Sequence, residues 1–218
     1  MKISLQAKKM LMGLISAVSM FALGAQSANA QEPIVFVHGY AGGNYNWDTM
    51  ASRFTSSGYP SSKLYRFSYN SYLVSNETAA SQLRSFINNV RAANGNAQVS
   101  VVAHSNGGLV TRWYTAKLGG ASSVRRFVSL GTPHKGSDSA YYCYAPICYE
   151  MRPGSSFLNS LGTAGCDRNL WSPADGTVIP ASNSQCNAGT NVQVAPVSHM
   201  TLLTDSSVYN SVRQQLNN

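Results

Sequence analysis

The sequence predicts an α/β fold, a mostly parallel central sheet flanked by helices. Three observations lead there. Short apolar, β-branched runs alternate with longer segments whose apolar residues recur at helical spacing. One of the short runs, residues 99–102, passes through Ala103-His104-Ser105-Asn106-Gly107 directly into a helix-like stretch. The chain has 218 residues and no internal repeat or linker, which is the size of one domain with a substantial core.

Taken in order, Ile34–Val37 reads as the first strand. Residues 45–57 read as a helix that Gly58 stops, and Leu64–Phe67 as the second strand. Residues 77–93 carry Ala79, Ala80, Leu83, Phe86, Ile87 and Val90 on one helical stripe, ended by Asn94-Gly95. Residues 99–103 form the next strand and 107–117 its helix, followed by a strand at Val124–Leu130. Residues 134–165 read as loop-rich, 192–195 as the last strand and 202–216 as the last helix.

Ser105 sits at the tip of the strand-to-helix turn. Ala103 and Gly107 flank it at −2 and +2, because a turn this tight leaves no room for a larger Cβ between the strand and helix backbones. The geometry lifts the Ser105 hydroxyl out of the sheet and aims a helix N-terminus at whatever it attacks. Alone, the pentapeptide also fits an ordinary serine capping a helix. Three further segments favour a nucleophile.

In the first of these, the apolar strand 34–37 ends in His38-Gly39 and a glycine-containing loop. Such a loop can supply a backbone N–H to an oxyanion, with Tyr40 the candidate donor and Asn106, next after the serine, the second. The second segment is Ser172-Pro173-Ala174-Asp175-Gly176, an acid in a turn. Four acids lie between Ser105 and the last histidine. Asp138 follows too closely on another strand–loop unit, Glu150 lies in a Cys- and Tyr-rich loop, and Asp167 beside Arg168 reads as an ion pair. Asp175 remains. The third segment is Val197-Ser198-His199-Met200. Of the four histidines, His38 and His104 belong to motifs already placed, and His134 precedes every suitable acid. His199 completes the order Ser, Asp, His. An apolar acyl pocket can be drawn from Leu109, Val110, Val178, Met200 and Leu202, which flank these three in sequence; most of them fit a core equally well.

With these residues in place, the chain resembles the small secreted bacterial lipases of the α/β-hydrolase superfamily whose elbow reads A-H-S-x-G. The resemblance runs from Pro33 to the C-terminus. It rests on Val37-His38-Gly39, the 102–108 elbow, Gly131-Thr132-Pro133-His134, Ser172-Pro173-Ala174-Asp175 and Ser198-His199. It implies an α/β-hydrolase fold with little or no cap domain and carboxylic ester hydrolysis through Ser105, Asp175 and His199. It also implies backbone donors at Tyr40 and Asn106, and a His134 that is not catalytic. The chain departs from the pattern at Asn106, where Met or Gln is more familiar, and in the polar run 166–171 before Asp175. The segments 70–77 and 138–155 have no clear counterpart.

Residues 1–30 read as a cleaved secretory signal: Lys2, Lys8 and Lys9, then an apolar core, then Ala28-Asn29-Ala30. The remaining 188 residues (218 less 30) hold 13 basic and 8 acidic side chains, a net charge of +5. That excess is moderate, and aromatics are not interleaved with basic runs, so a nucleic-acid partner is not expected. A solvated surface fits it better, with weak attraction to anionic lipid or polymer surfaces as the second reading. All four cysteines lie in the exported part. Of three possible pairings, Cys143–Cys148 and Cys166–Cys186 close the most compact loops, and the second encircles Asp175; closing it is worth ~3 kcal/mol. The cysteine spacing does not suit a metal site.

The reading is therefore a secreted monomer, extracellular or periplasmic, without cofactor, metal or stable membrane insertion, that hydrolyses hydrophobic esters. Lipid is the first substrate class and polyester the second. Acyl transfer would use the same three side chains, and a non-enzymatic binding protein on this fold is the remaining alternative.

Overall fold

The computed structural model describes residues 31–218, which form one unit. The expected signal at 1–30 lies outside the described residues. Six strands form one sheet: β1 (Ile34–Val37), β2 (Leu64–Phe67), β3 (Val99–His104), β4 (Val124–Leu130), β5 (Arg168–Trp171) and β6 (Thr190–Gln193). All neighbours are parallel, in the order β2-β1-β3-β4-β5-β6. Six α-helices accompany them: α1 (Asp48–Ser56), α2 (Asn76–Ala92), α3 (Asn106–Lys117), α4 (Pro146–Glu150), α5 (Ser156–Leu161) and α6 (Ser206–Asn217).

The alternation of side chains along a strand sorts the helices onto two faces. Ile34 and Phe36 of β1 point to a core shared with Met50 and Phe54 of α1 and Val208, Val212 and Leu216 of α6. Val35 and Val37 point the other way, to Leu83, Ile87 and Val90 of α2 and Val110 and Tyr114 of α3. A third cluster seats α4 and α5 on α3, with Phe157 stacked on Trp113 at 4.9 Å. Among the described residues no helix is long and apolar enough to cross a membrane.

The structure departs from the expected elements at several places, and at the last helix and the last two strands polar side chains are responsible. The first helix is a 3-10 turn, Asn44–Trp47, running into α1. The last is divided, because the Asp205 carboxylate accepts from the Ser207 and Val208 amides and starts α6 there. The loop-rich 134–165 contains α4 and α5. Strand β5 follows no apolar pattern; Asn169 is fully buried in it and donates to Asn191 of β6. That pairing, with Arg168 on Thr190, draws β6 two residues earlier than the expected 192–195.

The order of the strands decides where a site can form. The chain winds from β1 outward to β2, then returns past β1 to β3. The crevice beyond the C-terminal ends of β1 and β3 is therefore the switch point of the sheet, where open parallel sheets bind ligands.

Candidate functional site

Ser105 stands in that crevice, between β3 and α3, at φ 54° and ψ −132°. A non-glycine residue there is strained, and the surroundings hold it in place. The Ser105 amide donates to Leu130 O at 2.9 Å and its carbonyl accepts from the Thr132 hydroxyl at 2.8 Å. Two glycines permit the close approach. A Cβ on Gly107 would lie 2.4 Å from the His38 carbonyl oxygen, and one on Gly39 would lie 2.6 Å from Ser105 Cβ. The loop after β1, which carries Tyr40, is thereby pressed against the elbow. Asn106 opens α3, so its N–H has no acceptor within the helix.

Asp175 and His199 come together behind the serine. His199 Nδ1 and Asp175 Oδ2 are 2.7 Å apart, with both side chains almost wholly buried. The other carboxylate oxygen accepts from the Thr177 and Val178 amides at 2.8 and 2.9 Å. Burial alone would raise the Asp175 pKa. The hydrogen bonds and charge of His199 and the two amides outweigh it, so the carboxyl lies below its ordinary value. Asp175 thus stays ionised, and its hydrogen bond fixes the proton of the imidazole on Nδ1. His199 and Ser105 line the same cavity.

Two residues that the sequence reading named only as parts of motifs hold this pair. The Ser172 hydroxyl donates to Val197 O at 2.6 Å and accepts from the Val197 and Ala174 amides, tying the loop of Asp175 to that of His199. His104 Nε2–H donates to the His199 carbonyl at 3.0 Å, and its ring packs 4.5 Å from the His199 ring. Burial and the neighbouring His199 bring the His104 pKa down to about 3, so it stays a neutral spacer.

His134 lies apart from this group. Its Nε2 meets Ser129 Oγ at 3.0 Å, and burial pushes its pKa well below the ordinary value. It belongs to the one cluster of metal-ligating side chains among the described residues, with Cys166 and Cys186, whose sulfurs are bonded to each other. The structure pairs Cys143 with Cys148 and Cys166 with Cys186, at Cα separations of 5.7 and 6.4 Å. Asp167, read as an ion-pair residue, meets Arg126 at 3.1 Å and Arg168 at 3.6 Å.

A cavity of about 500 Å³ opens over Ser105 and His199, large enough for a small acyl substrate. Of the expected acyl-pocket residues, only Val178 and Met200 line it. Leu109, Val110 and Leu202 are wholly buried in the three cores, as amphipathic packing demands. Tyr142 of the 138–155 insert and Tyr45 border the mouth and are exposed.

Glu150, at the end of α4, accepts from the Asn76 amide at 2.6 Å. Burial, reinforced by Glu77, raises its pKa to about 7 despite that bond. The folded protein then holds a proton that the unfolded chain has released between the ordinary carboxyl value of 4.5 and about 7. Stability from this group is present at lower pH and is lost as pH rises through that window. Glu150→Gln keeps an acceptor for Asn76. Its thermal midpoint should match the parent near pH 4.5 and exceed it at pH 8; parallel midpoints across that range would refute the assignment.

Comparison with known proteins adds the following. A family model described as Lipase (class 2) matches residues 31–215. A triacylglycerol lipase of Burkholderia plantarii is 30% identical over 165 residues, covering 69% of this chain and 45% of that protein. One from Pseudarthrobacter phenanthrenivorans is 29% identical over 149 residues, covering 62% of this chain and 45% of the relative. The chain thus spans under half the length of these curated relatives. Among solved structures, the mature form of a Bacillus licheniformis lipase is similar at TM-score 0.75 and 18% identity, covering 86% of this chain and 92% of that one. At that identity the likeness speaks for the fold alone.

Proposed function

The chain belongs to the class 2 lipase family and has the α/β-hydrolase fold, and on that footing we propose that it is a secreted serine hydrolase of hydrophobic carboxylic esters. The observation that carries the proposal is the buried 2.7 Å Asp175–His199 hydrogen bond beside a serine held at φ 54° in the floor of the same cavity. His199 Nε2 takes the proton of Ser105 as its Oγ bonds to the ester carbonyl carbon. The Asp175 carboxylate stabilises the imidazolium. The carbonyl oxygen, now an oxyanion, accepts from the Tyr40 and Asn106 amides. His199 then gives its proton to the departing alkoxide, and water activated by the same imidazole releases the acid.

Triacylglycerol is the substrate named for the curated relatives, and an apolar cavity lined by Val178, Met151 and Met200 suits an acyl chain. Export is supported by the two disulfides, with residues 1–30 as the cleaved signal. Purified protein should react with a fluorophosphonate probe and hydrolyse p-nitrophenyl esters. The rate plotted against acyl length from acetate to palmitate measures the depth of the acyl site. Absence of both labelling and turnover in folded protein would overturn the proposal.

A further inference from the structure

An oxyanion site needs two N–H groups aimed at one point. Here they come from separate pieces of chain, the loop after β1 and the first turn of α3, with no regular backbone ladder between them. A third piece lies against both: Tyr69 to Asn76, most of which falls in the 70–77 segment that had no clear counterpart in the lipase pattern.

Tyr69 packs its ring on His38 at 4.5 Å and 13°. Its hydroxyl donates to the His38 carbonyl at 3.1 Å, and its amide donates to His38 Nε2 at 3.3 Å. The His38 proton is therefore on Nδ1, donated to Gly39 O at 2.8 Å. Two residues further on, Ser71 Oγ accepts from the Ala41 amide at 2.9 Å. These contacts bracket the Tyr40 amide on both sides. The same Tyr69 hydroxyl accepts from the Asn106 side chain at 3.2 Å, and Asn106 Nδ2 also donates to Asn76 Oδ1 at 2.8 Å. Asn76 and Asn106 are both wholly buried.

We infer that the Tyr69 hydroxyl, with the side chains of Asn106 and Asn76, is a brace that fixes the spacing of the Tyr40 and Asn106 amides. These three are positioning residues, and the inference rests on the oxyanion role given to the two amides above. Packing alone does not call for them. Phe at 69 and an apolar residue at 106 would fill the same space, whereas Asn106 Oδ1 and Asn76 Nδ2 are buried without partners among the described residues, which costs stability. Burial pushes the Tyr69 pKa upward, so the hydroxyl keeps its proton at any working pH.

The test uses Tyr69→Phe and Asn106→Leu, the full mature chain, a soluble p-nitrophenyl ester and phenylboronic acid, whose tetrahedral adduct places an oxygen between the two amides. Each variant should lose about tenfold to a hundredfold in kcat, as small misplacements of a catalytic group do, with KM within about twofold. Boronate affinity should fall by a similar factor. The double variant should lose little more than the worse single one, because both cut the same link. Wild-type kcat and boronate affinity with only a lowered thermal midpoint would reduce the network to packing and overturn the inference. If Tyr69→Phe does not fold, Asn106→Leu decides alone by the same criterion. A parallel Ser105→Ala separates the two levels. If that variant is inactive while the brace variants match wild type, only the brace fails; if it retains activity, the reading of the whole site fails.

Discussion

Ser105→Ala should fold as the parent does and lose about 10⁵–10⁶-fold in ester hydrolysis, the size of loss seen when a serine hydrolase is deprived of its nucleophile. Folding should survive because Ser105 Oγ holds no hydrogen bond among the described residues. The elbow is held through the backbone, by Leu130 O on the Ser105 amide and the Thr132 hydroxyl on its carbonyl. Alanine keeps the φ of 54° and therefore the strain. Ser105→Gly should be equally inactive but more stable than Ser105→Ala by about 1 kcal/mol, since glycine accepts that backbone freely. Activity is read with purified protein, and stability by denaturant titration. Turnover by Ser105→Ala within tenfold of the parent would remove Ser105 from the chemistry. An alanine variant as stable as the glycine one would show that the turn is not strained.

Much of the frame was legible in the sequence because it is written in apolar periodicity. Strands β1, β2 and β4 begin and end where their β-branched and aromatic runs do, and α2 follows its stripe to within a residue. The elbow was legible because close backbone approach demands small residues at 103 and 107. What was not legible is polar. Strand β5 buries Asn169 beside a single buried apolar residue, Leu170, so no apolar run marks it. Strand β6 takes its bounds from hydrogen bonds to β5, which no hydropathy pattern reports. Tyr69, Asn76, Ser172 and His104 matter through partners 25 to 95 residues away. A single chain carries no sign of such pairings. Asn106 was the exception: it stands where Met or Gln is more familiar after the serine, and the structure partners its side chain with Asn76 and Tyr69.

The two late histidines should part company on mutation. His199→Ala removes the group that moves the proton of Ser105 and should cost as much as Ser105→Ala, with little further loss in the double variant, because the two act as a unit. The His199 side chain makes its one strong bond to Asp175, so its loss leaves a buried carboxylate facing a void. Asp175 still accepts from the Thr177 and Val178 amides. That should keep the cost near about 1–3 kcal/mol and the protein folded. His134 lies outside this pair, with Nε2 against Ser129 Oγ and its ring buried beside the Cys166–Cys186 bridge. His134→Ala should lower stability by a similar amount, a shift of a few degrees in the thermal midpoint for a domain of this size, and leave kcat within about tenfold at temperatures where it is folded. Steady-state kinetics at 25 °C on both variants, beside melting curves, separates them. Near-complete inactivity of folded His134→Ala together with an active His199→Ala would reassign the general base.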